Sequence, residues 1–182
     1  MNRFSIPISC LFVICFVAPA TFAGASLDVR PGRCPNLINH SSQARGVVPI
    51  AIVSDVDFSA SRVDVDSLQL GRENVAGSVR PIGQGTVGDV AAPASPGQCP
   101  NPGADGMYDM LVMFRKAEIV DGLDLADLPS GTVVEICMSG ETRNLAGDGN
   151  PFEACGDFTV TGFGNLSSPN FDGIETLPRL RR

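Results

Sequence analysis

The 182-residue chain has no tryptophan, one tyrosine and one histidine, and aromatic residues make up 6% of it. Histidine-based acid/base or metal chemistry could therefore rest on His40 alone, which sits in the polar stretch Leu37 to Gln43, where a solvated side chain is expected. The shortage of Trp and Tyr also leaves no stacking platform for a sugar. Positive charge is scarce as well: 13 Lys+Arg against 20 Asp+Glu give a net charge of -7. So acidic a chain offers no basic face for a phosphate backbone, and no nucleic-acid partner is expected. The patterns G-x-S-x-G, H-E-x-x-H and the P-loop are absent, as is any C-x-x-C pair. Most familiar hydrolase and zinc-site arrangements are excluded on these grounds.

The chain has no uninterrupted apolar run of membrane-spanning length, and the one at its N-terminus falls short of the roughly 20 residues a span needs. At that end Arg3 precedes the apolar stretch Phe4 to Ala20, which Pro7 interrupts, and small residues follow from Ala18 to Ala25. A short positive region, an apolar stretch and a small-residue cleavage site make a secretory signal peptide, expected over residues 1–23 with cleavage after Ala23 or Ala25. The mature chain is then expected to be secreted, whether extracellular, periplasmic or on the cell surface, with no membrane span. Cleavage removes Arg3 and no acid, leaving 12 basic and 20 acidic side chains. Cys10 and Cys15 leave with the signal, so Cys34, Cys99, Cys137 and Cys155 enter an oxidising compartment and read as two disulfides.

What the chain has in quantity is short apolar runs bounded by Gly, Pro, Asn and Asp, without a sustained helical period. That pattern predicts an all-β domain. Candidate strands are 26–30, 47–54, 67–70, 75–80, 110–115, 132–139 and 158–161, with one helical turn at 116–120. About seven short strands suit an Ig-like antiparallel β-sandwich held by disulfides, over residues 24–161, with a flexible, basic C-terminal tail at 162–182. Both faces of Val47–Ser54 and of Met110–Phe114 are apolar, so these should be central strands, although Pro49 argues for a bulge or an edge register. In Thr132–Ser139, Val134, Ile136 and Met138 should point inward and Glu135 outward. Gly83 to Gly106, with six glycines and four prolines, reads as a connector.

The hexapeptide Pro31-Gly-Arg-Cys-Pro-Asn36 returns as Pro96-Gly-Gln-Cys-Pro-Asn101. Two matching rigid turns would present their thiols alike, which favours Cys34–Cys99. Cys137 and Cys155 would then face each other across a hairpin turning at Gly147-Asp-Gly-Asn150. Four cysteines allow three connectivities, and sequence alone does not choose among them.

One segment carries ligand chemistry. Asn101-Pro-Gly-Ala-Asp-Gly-Met-Tyr-Asp109 places oxygen side chains at its first, fifth and ninth positions, with Gly106 to turn the chain. Asn101, Asp105 and Asp109 are thus candidate ligands of a weak calcium site of the strand-to-strand kind. An EF-hand is excluded, because Gly103 and Val112 stand where acids are needed. The competing reading is an Asx-turn at Asp105-Gly106, with Asp109 a solubilising residue at a strand edge. Asp55-Val-Asp57 and Asp64-Val-Asp66 read as strand ends or turns facing water, although a hydrolytic carboxylate pair could be drawn from them.

The chain also resembles an uncharacterised bacterial domain found in secreted and surface proteins. The resemblance rests on Leu27-Asp-Val-Arg-Pro-Gly-Arg-Cys-Pro-Asn36, Gly46-Val-Val-Pro-Ile-Ala-Ile-Val53, Asp55-Val-Asp-Phe58, Val65-Asp-Ser-Leu-Gln-Leu-Gly71 and Gly103 to Arg115. It continues through Gly140-Glu-Thr142 and Pro151-Phe-Glu153, covering about residues 26–161. Members of that family often carry a more acidic loop before the Leu-Val-x-Phe strand, which looks like a calcium loop; here Asp105, Gly106 and Asp109 match it, with Asn101 at the first place. The resemblance implies export and a β-fold more than any activity. The expected role is a secreted, non-catalytic structural or interaction module that engages a protein or cell-envelope partner. The alternative is a small carbohydrate-active or other hydrolytic enzyme using a carboxylate pair.

Overall fold

The computed structural model describes residues 24–40, 45–94, 101–143 and 149–162. The expected signal peptide, the C-terminal tail, Cys99 and the Gly147–Asn150 turn lie wholly or partly outside them. In chain order the strands are β1 (Gly24–Val29), β2 (Leu37–Asn39), β3 (Val47–Val53), β4 (Gln69–Gly71), β5 (Ser78–Val79) and β6 (Ile82–Gly88). Then come β7 (Ala91–Ala92), β8 (Asn101–Pro102), β9 (Asp109–Arg115), the helix α1 (Lys116–Gly122), β10 (Val133–Arg143) and β11 (Gly149–Thr161).

Nine of these strands form one sheet in the order β5-β4-β10-β11-β1-β3-β9-β6, with β2 beside the far end of β11. Two of the pairings are parallel: β1 runs along Glu153–Cys155, and β2 along Thr159–Thr161. In place of the expected antiparallel sandwich of two sheets there is a single mixed sheet curled into a half-barrel. The reason the alternation misled is geometric. Period-two burial states that one face of each strand is dry, and a sheet curled round its own core satisfies that as well as two facing sheets do.

The concave face carries the core. Leu27, Val29, Ile50, Ile52, Val112 and Phe114 meet Val134, Ile136, Met138, Ala154, Phe158 and Val160 there. Ile119, Val120, Leu123 and Leu125, from α1 and the turn after it, close the open side, together with Phe58, Ala60 and Leu68. Inward Val134, Ile136 and Met138 and outward Glu135 follow the expected alternation. The opposite face of the middle strands is covered too, since Asp28, Ala51, Val53 and Asp109 are all buried. Val47 is an exception on β3, at 53% exposed.

Pro49 neither bulges nor sits on an edge strand: β3 keeps regular register with β9 from Val47 to Ile52. The carbonyl of Pro49 accepts the amide of Arg30, just past the end of β1. A residue's N and C=O point to the same neighbour, so the missing N–H of Pro49 falls where β1 has already stopped. The Gly/Pro-rich 83–106 stretch is also not the plain connector expected, since its first part forms β6 against β9, with a register shift between Ile82 and Thr86. That irregularity, with Gly83 and Gly85 at positive φ, interrupts the ladder and blunts the sheet edge.

Cys137 and Cys155 stand opposite each other on β10 and β11 and are joined as the hairpin reading expected. Cys34 is also disulfide-bonded. Its expected partner, Cys99, lies outside the described residues.

Candidate functional site

The segment singled out for calcium lies at the start of β9, and its carboxylates are engaged by backbone amides. Asp109 is fully buried. One of its oxygens accepts the amide of Ser54 at 3.0 Å, and the other accepts those of Val90 at 2.9 Å and Ala91 at 3.0 Å. Asp89 answers from the opposite segment, accepting the amides of Asp105 and Gly106, each at 2.9 Å. The two stretches 89–91 and 105–109 therefore exchange carboxylate-to-amide bonds in both directions, and each carboxylate takes two consecutive amides of the other stretch. A short ribbon continues the closure, pairing Ala91 with Pro102 and Ala92 with Asn101. Ser54 ties the clamp to the core: its hydroxyl donates to the carbonyl of Tyr108 at 2.7 Å and accepts the amide of Ala60 at 2.9 Å.

This arrangement fits the calcium expectation poorly. Asp105 is exposed and forms the anticipated Asx-turn, accepting the amide of Met107 at 2.9 Å. Asp109 is neither a free ligand nor the solubilising edge residue of the competing reading, because both its oxygens already accept buried amides. The side chain of Asn101 lies outside what is described. A calcium ion needs six to eight oxygens, and the carboxylates present are instead satisfied by N–H groups. Among the described residues, the group of metal-type donors that does converge is Glu135, Cys137 and Cys155, within 4.8 Å of one another. Its two sulfurs are joined in the disulfide and are not thiolates.

A second buried carboxylate lies on β1. Asp28 is 1% exposed, and its carboxylate accepts the Asn36 amide nitrogen at 3.4 Å. That same nitrogen donates to the carbonyl of Asp157 at 3.4 Å, which fixes the orientation of the carboxamide. The second oxygen of Asp28 and the side-chain oxygen of Asn36 have no hydrogen-bond partner among the described residues. Burial raises the Asp28 pKa from 3.8 to about 6; the Asn36 hydrogen bond pulls it down, and the charge of Asp109 adds to the rise. Sequence reading passed over Asp28 and Asn36 as ordinary members of a strand and a turn. The signal available was an acid between Leu27 and Val29 in a strand that proved to be covered on both sides.

Two further acids are committed locally. Asp55 accepts the amides of Asp57 and Phe58, and Asp64 pairs with Arg143 at 2.7 Å. His40 is not solvated as expected but 2% exposed, and its amide continues the β2 pairing by donating to the carbonyl of Thr161. Among the described residues no helix is long and apolar enough to cross a membrane. Comparison of the chain with protein-family models, with curated proteins and with solved structures finds no match. Function has to be argued from the geometry.

Proposed function

We propose that this protein is a non-catalytic structural or interaction module of the extracellular or cell-envelope space. The observation that carries the reading is the reciprocal clamp, in which Asp89 and Asp109 are spent on holding two backbone segments together. A hydrolase needs acids that a substrate can reach. Among the described residues the one carboxylate with a raised pKa, Asp28, and the Asp109 charge that contributes to it are 1% and 0% exposed. The Cys137–Cys155 disulfide supports an oxidising compartment, and the resemblance to secreted bacterial domains agrees with it. The contact surface on this reading is the sheet edge at β6, where Gly83–Val87 are exposed, with the clamped excursion beside it. The partner is a protein or an envelope component.

The test is a binding isotherm of the purified protein on envelopes isolated from the producing cells, run beside its β6 variant Val87→Lys. Saturable binding weakened by the variant is the expected result. A monomer that stays in solution with every envelope fraction would sink the proposal.

A further inference from the structure

The ends of three strands assemble a basic cleft that net charge conceals. Arg30 follows β1, Arg45 precedes β3, and Lys116 follows β9. The antiparallel pairings of β3 with β1 and β9 bring these three points to one end of the sheet. The amide of Lys116 donates to the carbonyl of Gly46 at 3.0 Å, and that of Arg30 to the carbonyl of Pro49 at 2.8 Å, which closes the corner. Arg33 joins from the turn after β1. These four cations line one cleft of about 460 Å³, and among the described residues no acid lines it. The expectation of no basic face is corrected here: a chain with net charge -7 concentrates four of its 13 basic residues around one cavity.

Two of the arginines outside the cleft show what a neutralised cation looks like in this fold, while Arg62 has no ion pair among the described residues. Arg115 pairs with Glu118 and Arg143 with Asp64, whereas Arg72 and Arg80 donate to backbone carbonyls, which supply no counter-charge. Within the cleft, Arg30 donates to the carbonyl of Leu37, and among the described residues none of the four has a carboxylate within ion-pair distance. Lys116 feels the crowding: burial and the charge of Arg30 lower its pKa. Arg30 itself holds φ at +66°, a left-handed conformation that costs a side-chain-bearing residue free energy. Like charges kept together without a counter-ion are the signature of a site whose counter-charge arrives from outside. Leu37 and Val47, both exposed large apolar residues, line the same cleft and offer a surface for the organic part of a ligand.

We infer that the cleft between Arg30, Arg33, Arg45 and Lys116 binds a small phosphate-type oxyanion, either free phosphate or a phosphate monoester on a compact organic group. The volume falls in the range of small-molecule sites, and guanidinium forks match phosphate oxygens two at a time. This stands on the charge geometry and does not depend on the module reading above.

The experiment is calorimetric titration of the purified protein with inorganic phosphate and, separately, with glycerol phosphate, at constant ionic strength held by sodium chloride. Arg33 and Arg45 are exposed, so Arg33→Gln/Arg45→Gln should fold normally, which its thermal melt checks. The expected result is saturable binding with a Kd of about 1 mM or lower, weakened about tenfold or more in the double variant and unchanged in Arg62→Gln. Tighter binding of glycerol phosphate assigns the site to an organic phosphate, and equal binding to the free ion. No saturable binding of either probe, or binding indifferent to Arg33 and Arg45, would overturn the inference. So would citrate binding as well as phosphate, since the cleft would then read only negative charge.

Discussion

Asp28 should make the protein more stable in mild acid than its other carboxylates would allow. Its carboxyl is buried with one hydrogen-bond donor, the Asn36 amide, and its pKa rises from 3.8 to about 6. The folded chain therefore holds this proton more tightly than the unfolded chain does, and protonation favours folding. The stabilisation is fully present below pH 3.8 and is lost as the pH rises through about 6. At 1.36 kcal/mol per pH unit the difference amounts to about 3 kcal/mol. Asp28→Asn keeps the shape and removes the titration. Urea unfolding of both proteins, disulfides intact, should be measured at half-unit steps from pH 4 to pH 7.5. Subtracting the two curves cancels the other acids, which both proteins share. The variant's advantage should grow across that range by about 2.5 kcal/mol, half of it gained by about pH 5, and level off above about pH 6. Carboxyl carbon NMR on the folded protein should give the Asp28 titration directly. A difference that stays flat with pH, or one that shrinks as pH rises, would refute the account of a desolvated carboxyl.

Asp109→Asn replaces one accepting oxygen by a donor, which meets the fewest amides on the side of Ser54; it should cost about 2–5 kcal/mol by urea unfolding and speed hydrogen exchange at the Ser54 amide. Because that variant damages the fold, Asp105→Asn is the cleaner probe of calcium, since asparagine can still accept the Met107 amide. Amide-satisfied carboxylates predict no rise in melting temperature with millimolar calcium; a rise in the native protein that Asp105→Asn abolishes would restore the calcium loop. Gly156→Ala should destabilise by about 2 kcal/mol or more in a thermal or urea melt, because a Cβ there would collide with the backbone carbonyl of Leu27 where β11 passes β1.

The strands were legible where a single local rule governs them. The run from Met110 to Phe114 and the Val134, Ile136, Met138 alternation each became what periodicity says, and the pairing of Cys137 with Cys155 followed from a hairpin that local turn chemistry supports. The parallel pairing of β1 with Glu153–Cys155 joins positions far apart in the chain, and no local pattern encodes it. With that pairing unknown, curling could not be told from stacking. β6 was missed for a different reason. Gly83 and Gly85 look like breakers, yet they lie in the irregular stretch between Ile82 and Thr86 that lets a poor strand follow β9.

The acids and bases divide in the same way, and the division explains why function was harder to read than fold. An acid in an Asp-x-x-x-Asp pattern invites a metal because both partners lie close in sequence. What engages Asp109 is a pair of amides 18 and 19 residues upstream and a third 55 upstream, which the spacing of acids does not register. The cations of the cleft are as scattered: Arg30, Arg45 and Lys116 share no motif, and they meet because three strands end at one corner. Net charge averages over the whole surface, whereas a ligand responds to the field within about a Debye length, roughly 8–10 Å at physiological salt. Summing 13 positive and 20 negative side chains therefore says little about any one cavity. Asp89 and Asp109 are spent on backbone amides, whereas the cations of the cleft face no carboxylate among the described residues, and their charge is left to act on something outside the fold.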